Sequence, residues 1–185
     1  PGKGSRVEGS VFEQPLGTVY SLFESIEASG VSQDSIVLGK EMQKNSLAAG
    51  ILDLDETAEI FYLERVRLAG GEALAHDRVW LPGEVGRPLL GVDFTHTALY
   101  TELREHIGLG PEEGQERIKP IIPTARHAGY LDLEEGDPVL EIERRTLAVG
   151  APLEWRITLV RGDRYNFRAE WKAEDTVVVP RLVAR

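Results

Sequence analysis

Residues 59–81 read EIFYLERVRLAGGEALAHDRVWL and contain the clearest secondary-structure signal of the chain. Segments 59–68 and 72–81 are both rich in the apolar, β-branched and aromatic residues that are typical of strands. Between them, Gly70 and Gly71 permit the positive φ that a two-residue hairpin turn requires. The stretch therefore predicts an antiparallel hairpin, and a sheet in which neighbours in sequence are also neighbours in space.

The rest of the chain extends this architecture. A second hairpin is predicted from 138–148 through Val149-Gly150 to 152–160, and Pro120 favours an edge position for the strand that contains it. Further strands are predicted over 34–45, 114–122 and 165–171. Helices are predicted over 16–26, 95–107 and 124–131, with a short helix or loop over 46–58.

About six strands and three or four helices, joined by hairpins rather than crossovers, predict an α+β fold. Its sheet is expected to be mainly antiparallel and flanked by helices. The sequence pattern predicts no internal repeat. A length of 185 residues suits one domain with a sizeable core.

The composition excludes several classes of function. Lys and Arg number 21 against 31 Asp and Glu, which gives a formal net charge of −10. Such a surface repels phosphate backbones, so this chain is not expected to bind DNA by itself. The absence of cysteine excludes disulfides and thiol catalysis. No apolar stretch approaches the roughly 20 residues of a membrane span, and a cytoplasmic location is expected.

The residue types of catalytic and metal centres do not form a recognisable set. The four histidines lack the i, i+4 spacing of a metal site, and no serine lies in a G-x-S-x-G turn. We therefore predict no catalytic residue, no metal and no cofactor.

Two arginines on one strand face are the strongest chemical signal. Arg65 and Arg67 share a face, where paired guanidinium groups require water, a counter-charge or an anion. Counting from the glycine turn, position 65 pairs near 76 and position 67 near 74, which places Asp77 at diagonal reach. This arrangement suits an anion-binding site, and it equally suits a solvated ion pair on the surface.

Three groups of residues together resemble a known domain family. The first is Arg65-x-Arg67-x-x-x-Gly71-Glu72-x-Leu74 with Trp80-Leu81-Pro82, and the second is Ala98-Leu99-Tyr100 followed by Leu103. The third comprises Pro138-Val139-Leu140-x-Ile142-x-Arg144, Gly150-x-Pro152-Leu153-Glu154 and Arg161-Gly162-Asp163-Arg164-Tyr165-x-Phe167. From about residue 16 to 171 the chain resembles the UTRA domain, the sensor domain of HutC-type repressors in the GntR superfamily.

The N-terminus carries a second resemblance. Gly2-Lys3-Gly4-Ser5-x-Val7 is similar to the end of the winged helix-turn-helix wing that precedes the sensor in these repressors. The expected organisation is a wing and linker remnant over 1–15, a UTRA effector-binding and dimerisation domain over 16–175, and a tail over 176–185. Operator DNA would then be bound only through an N-terminal winged helix-turn-helix domain that this chain lacks.

The resemblance implies a chorismate-lyase-like fold, a homodimer and a small anionic effector that alters operator binding. It assigns the anion contacts to Arg65 and Arg67. The other implied ligand-binding residues are Asp77, Thr97, Tyr100, Glu154 and Ser21.

Two departures from the family pattern bear on the effector. Ala98 replaces the serine that sugar-phosphate sensors generally carry there, although Thr97 is adjacent, and Val160 replaces a common tyrosine. Both changes remove a hydroxyl group. We therefore expect a ligand that keeps an anionic end but is less sugar-like, such as a carboxylate.

A non-catalytic sensor is the leading interpretation. The alternative is a chorismate-lyase-like enzyme acting on a small aromatic carboxylate, because the related fold includes a lyase. A decayed pocket that serves dimerisation only is a third possibility. The wing-like N-terminus and the closing turn favour the sensor of a transcription regulator.

Overall fold

The computed structural model describes residues 11–17, 22–170 and 172. Residues 1–10 of the predicted wing and linker remnant over 1–15, the tail over 176–185 and Ser21 lie outside the described residues.

The described residues form eight strands, five α-helices and one 3₁₀ helix. The strands are β1 (Phe12–Pro15), β2 (Gln33–Lys44), β3 (Glu59–Ala69), β4 (Glu72–Pro82), β5 (Glu113–Ile121), β6 (Val139–Ala148), β7 (Ala151–Arg161) and β8 (Tyr165–Arg168). The helices are α1 (Leu22–Ala28), α2 (Ser46–Ile51), α3 (Gly83–Gly86), the 3₁₀ helix (Arg87–Gly91), α4 (Leu99–Ile107) and α5 (Ala125–Tyr130).

Six strands form one sheet in the order β2-β3-β4-β7-β6-β5, and every neighbouring pair in it is antiparallel. The predicted α+β fold with a mainly antiparallel sheet is confirmed. Strand β5 lies at one edge, as Pro120 predicted, because a residue without an N–H group disturbs a central ladder. Strands β1 and β8 pair in parallel as a separate two-stranded sheet.

Both hairpins contain a bulge close to the turn, and this corrects the predicted register. Between the pairs Leu68–Ala73 and Arg67–Ala75, β4 contains one extra residue. Arg65 therefore lies directly opposite Asp77 rather than diagonal to it. The prediction was wrong because a turn fixes only the nearest pairs, while a bulge displaces all later pairs by one residue.

The two hairpins also repeat one another, which the sequence pattern had not revealed. Identical residues recur at matching positions: Glu64, Arg65, Leu68, Ala69, Gly71 and Leu74 correspond to Glu143, Arg144, Leu147, Ala148, Gly150 and Leu153. In both hairpins the second of the two strands contains the bulge. Strands β4 and β7 lie side by side, so the repeated hairpins form two halves of one sheet.

Helices cover both faces of this sheet. Helix α4 packs through Leu99 and Leu103 onto Leu63 and Val79, while α1 packs through Ile26 on the same face. On the opposite face, α2 packs against the stacked rings of Trp80 and Trp155. The central strands are consequently buried on both sides, and we call the side covered by α1 and α4 the inner face.

Several predicted boundaries differ from the structure. Helix α1 begins at Leu22, and Leu16 lies in a turn outside it. Strand β1 falls within the predicted linker, but Phe12 is buried beside Tyr165, so these residues belong to the domain. Helix α4 begins at Leu99 instead of residue 95 and ends at Gly108, whose left-handed φ of 72° closes it as predicted.

None of the described helices is long and apolar enough to cross a membrane.

The second hairpin turn generates a prediction about stability. Val149 has a φ of 51° and is 75% exposed, although branched side chains disfavour this conformation. Asparagine adopts it readily, so Val149→Asn should stabilise the domain by about 1 kcal/mol and raise Tm by about 2–4 °C. Thermal unfolding measures this shift.

Val149→Ala is the matched control, since it removes the branch but keeps an ordinary side chain at positive φ. An alanine variant that is as stable as the asparagine variant would show that backbone strain is not the cause.

Candidate functional site

The inner face carries a buried cluster of charged side chains instead of an uninterrupted apolar layer. Strands β3, β4, β6 and β7 all contribute to it, and every member is at most 6% exposed. Buried charges require close partners, so their contacts define the site. The members of this arginine cluster are Arg65, Arg67, Asp77, Arg144, Glu154 and Arg156.

Asp77 is at the centre of the cluster. Its Oδ2 accepts hydrogen bonds from Arg65 Nη2 at 2.8 Å and from Arg67 Nε at 3.2 Å. Its Oδ1 accepts from Thr158 Oγ1 at 3.2 Å and lies 3.8 Å from Arg156 Nε. One carboxylate thus joins β3, β4 and β7.

Glu154 is the second buried carboxylate. It accepts hydrogen bonds from Arg156 Nε at 2.6 Å and from the hydroxyl of Tyr100 on α4. Arg144 Nη1 donates to the same tyrosine oxygen at 3.2 Å, and Arg144 Nε donates to Glu116 at 2.6 Å. These contacts tie α4 to the far half of the sheet.

The electrostatic environment differs from one member of the cluster to the next. Burial raises the pKa of Asp77, but Arg156, Arg67 and Arg65 outweigh this and hold the pKa well below its usual value. Burial, followed by the charge of Arg67, lowers the pKa of Arg65 to about 9. Burial and Glu154 raise the pKa of Tyr100, which stays a neutral hydroxyl. At Arg156, in contrast, burial is outweighed by Glu154 and Asp77, which raise its pKa. Repulsion between arginines is therefore strongest at Arg65, while Arg156 is well compensated.

Arg65 is the least satisfied of the four arginines. Its guanidinium lies 5.3 Å from the ring centre of Phe94. Its Nε and Nη1 have no hydrogen-bond partner among the described residues. A fully buried guanidinium with two unused donors is an unfavourable arrangement that a nearby anion would relieve.

A small cavity lies beside the far half of the cluster. Its volume is about 20 Å³, enough for about one water molecule. One part of its wall is polar and consists of Arg144, Arg156 and Thr158, and the other is mainly apolar. The remaining wall residues are Leu22, Ile142, Val160 and Tyr165.

The structure brings together five of the predicted site residues. Arg65, Arg67 and Asp77 meet directly, and Arg156 joins them to Glu154 and Tyr100. The possibility of a solvated surface ion pair is wrong, because Arg65 and Asp77 are no more than 1% exposed. A role of these residues in effector binding remains a prediction.

Thr97 is not part of the cluster. Its hydroxyl contacts Glu102 at 2.6 Å, and it lines a separate surface depression beside His96. The reason is local: Ala98 is the extended residue before α4 and is only 2% exposed, so the adjacent Thr97 turns outward. The predicted grouping of Thr97 with Tyr100 is therefore wrong in geometry.

Sequence reasoning missed Arg144, Arg156 and Thr158. Arg156 and Thr158 follow Glu154 at two-residue intervals on the same strand face, which was an available signal. Arg144 occupies in the second hairpin the position that Arg65 occupies in the first. Recognition of the hairpin repeat would have identified it.

The fold is therefore an antiparallel sheet whose buried, charged face is enclosed by helices. The UTRA domain model matches residues 29–166, and the chain belongs to that family. The predicted UTRA identity is confirmed.

Related proteins are transcription regulators. The chain is 27% identical over 168 residues to the HTH-type transcriptional repressor NagR of Bacillus subtilis, covering 90% of this chain and 69% of that protein. It is 29% identical over 181 residues to the repressor PhnF of Mycolicibacterium smegmatis, covering 96% of this chain and 73% of that protein. These relatives confirm the expected regulatory rather than enzymatic role.

The fold agrees with a solved relative. The crystal structure of the effector domain of PhnF from Mycobacterium smegmatis superposes with a TM-score of 0.80 and 28% identity. The match covers 87% of this chain and 99% of that domain. The chain is accordingly the effector-binding domain of a transcription regulator.

The cluster predicts a large stability effect at Asp77. In Asp77→Asn the arginines lose their shared counter-charge while they remain buried, so we expect a loss of about 3–5 kcal/mol. Urea unfolding at neutral pH measures it. Asp163→Asn breaks a pair in which the carboxylate is 57% exposed, and it should cost less than about 1 kcal/mol. Equal losses in the two variants would contradict a central role for Asp77.

The same carboxylate predicts how stability depends on pH. The pKa of Asp77 is lower in the folded than in the unfolded chain, so its contribution is complete above the unfolded value of about 4. It is lost as pH falls further, towards the folded pKa. The stability difference between the unmodified chain and Asp77→Asn should therefore shrink in unfolding experiments from pH 5 to pH 3. A constant difference would show that the charge of Asp77 is not responsible.

Proposed function

We propose that this domain senses a small anionic metabolite and passes the binding event to an N-terminal DNA-binding domain of a repressor. The observation behind the proposal is the buried guanidinium of Arg65. Its Nε and Nη1 have no hydrogen-bond partner among the described residues, and the charge of Arg67 opposes its own. An anion that enters the site would accept hydrogen bonds from these donors and offset the repulsion in a medium where charges interact strongly.

The route of transmission follows from the cavity wall. Leu22 belongs to α1 and Tyr165 to β8, and β8 pairs with β1 near the N-terminal side of the domain. A cavity of about 20 Å³ does not hold a metabolite, so binding would displace part of this wall. A displacement of α1 or β8 would move the strand pair through which the chain continues towards its N-terminus.

The coupling free energy between effector binding and operator binding must lie in a certain range. Regulation by an effector typically corresponds to about 1–3 kcal/mol, or a change in operator affinity of about 5–150-fold. It requires an effector that binds the two wall arrangements with different affinities. We further propose that the regulator works in the cytoplasm as a homodimer and that operator DNA contacts its N-terminal winged helix-turn-helix domain alone.

Calorimetry with a panel of anions tests the proposal. The panel contains hexose phosphates, short carboxylates and a neutral analogue of each. We expect saturable binding of at least one anion, at least tenfold tighter than its neutral analogue. Arg65→Gln should weaken that binding by about tenfold, or about 1.4 kcal/mol, because it removes a buried positive charge from the site. Arg161→Gln, in an ion pair near the surface, is the matched control and should bind normally.

A preference for neutral ligands would contradict the proposal, as would an affinity that Arg65→Gln leaves unchanged. Analytical ultracentrifugation tests the homodimer independently, and a monomer at micromolar concentration would exclude that part.

A further inference from the structure

We propose that residues 92–97, which we call the strap, form a gate between solvent and the buried guanidinium of Arg65. With the strap in place, the ring of Phe94 lies against this guanidinium. When the strap moves away from β2, an anion can reach Arg65 Nε and Nη1, which have no hydrogen-bond partner among the described residues. This inference rests on the proposed function, because it supplies the route by which an effector reaches Arg65.

The strap separates a surface depression from the inner face. It lies between the 3₁₀ helix and α4 and forms a turn without helix or strand. The depression has a volume of about 530 Å³. Five of the six strap residues line it: Val92, Asp93, Thr95, His96 and Thr97. The sixth, Phe94, is 1% exposed and packs among the apolar side chains of the inner face. One side of the strap therefore faces solvent, and the other faces the arginine cluster.

The contact between Phe94 and Arg65 is weaker than the contact that an anion would make. The guanidinium of Arg65 lies 5.3 Å from the ring centre of Phe94, and Arg65 is fully buried. A cation–π contact is weaker than charge-assisted hydrogen bonds to a carboxylate or phosphate, so an anion would compete successfully with the ring. The small cavity gives no access to this position, because Arg65 is not among the described residues that line it. We therefore assign the strap side to the approach of the effector.

Polar contacts with β2 hold the strap in place. Lys40 Nζ donates to the carbonyl oxygen of Val92 at 2.6 Å, and the N–H of Ser35 donates to the carbonyl oxygen of Thr95 at 2.8 Å. Strand β2 is at one edge of the six-stranded sheet. A segment held at a sheet edge by isolated contacts, rather than by a continuous ladder, can open while the sheet stays folded. Opening of the strap therefore exposes Arg65 without global unfolding.

Chemical modification of Arg65 tests the gate without an effector. Phenylglyoxal reacts with accessible guanidinium groups, and peptide mass spectrometry gives the reaction rate at each arginine. Lys40→Met removes a contact that holds the strap, so it should raise the rate at Arg65, relative to that at the buried Arg156, by about fivefold to tenfold. Lys119→Met removes an ion pair at the opposite edge of the sheet and is the matched control, which should leave this ratio unchanged.

A covalent bridge between the strap and β2 tests the gate in the opposite direction. His96 Nδ1 lies 2.7 Å from Asp34 Oδ1, and the two side chains are 75% and 38% exposed. The chain contains no cysteine, so Asp34→Cys combined with His96→Cys places its only two thiols at this contact. Dibromobimane joins neighbouring thiols. Bridging should lower the ratio of the Arg65 rate to the Arg156 rate by about tenfold or more, because the strap can no longer leave β2. The ratio cancels any general stabilisation by the bridge.

Titration of anions distinguishes the gate from the proposed function. Glucose 6-phosphate and butanoate are titrated by calorimetry into the unbridged and the bridged protein. An anion that binds the unbridged protein should bind the bridged protein about tenfold more weakly or worse, because Phe94 then stays on Arg65. Equal affinity for both forms would overturn the gate and leave the anion sensor intact.

The modification rates also have a decisive negative outcome. A ratio that neither bridging nor Lys40→Met changes would overturn the gate, and Lys40→Met alone decides the question if the bridged variant does not fold. Absence of binding by every anion of the calorimetric panel would overturn the proposed function. A bridge that lowers the ratio would still establish, in that case, that the strap opens over Arg65.

Discussion

The buried carboxylate of Asp77 is the interaction on which the inner face depends. It lies within hydrogen-bond distance of two arginines from β3 and of Thr158 from β7, so it links both halves of the sheet. Without it, Arg65 and Arg67 would be unpaired charges in the interior, which no nearby apolar contact could offset. The bulge in β4 makes this contact possible, because it places Asp77 directly opposite Arg65. A local irregularity of the hairpin thus determines the electrostatics of the whole site.

The hairpin repeat explains how opposite charges come to lie side by side. The two halves meet across the β4–β7 boundary, where the equivalent residues Arg78 and Ile157 pair directly. Asp77 pairs with Thr158 on one side of them, and Val79 pairs with Arg156 on the other. Asp77 and Arg156 are themselves equivalent positions in the two hairpins, and they carry opposite charges. Two hairpins of one design therefore supply the positive and negative partners of a single buried cluster. The backbone is repeated, while the side chains are complementary.

The sequence was sufficient for the sheet and insufficient for the geometry of the site. The hairpins could be predicted because Gly70-Gly71 and the residue pair 149–150 mark the turns, and Gly108 marked the end of α4. The register of the hairpin strands could not be predicted, because a bulge leaves no distinctive residue in the sequence and shifts every later residue pair. Arg156 could not be assigned to the cluster because its contact with Asp77 depends on which strands are central. Thr97 was misplaced because helix propensity gives no reliable first residue, and a shift of one residue turns a side chain from the core to the surface.

Under the proposed function, the small cavity and the buried arginines would act together. Without effector, the burial of Arg65 beside Arg67 makes the site less stable than a neutral core, while Leu22 and Tyr165 pack in the cavity wall. An anion would relieve the unfavourable burial of these charges only by displacing the packed residues of the wall. The binding free energy of the anion would therefore be divided between neutralising the arginines and moving the wall. Only the part that moves the wall distinguishes its two arrangements, with and without effector. With a weakly packed wall the effector would bind tightly but would change operator binding little. An effector that binds both wall arrangements equally well cannot shift the population of either. If the proposed function is correct, the burial of both Leu22 and Tyr165 below 10% exposure serves signalling as well as stability.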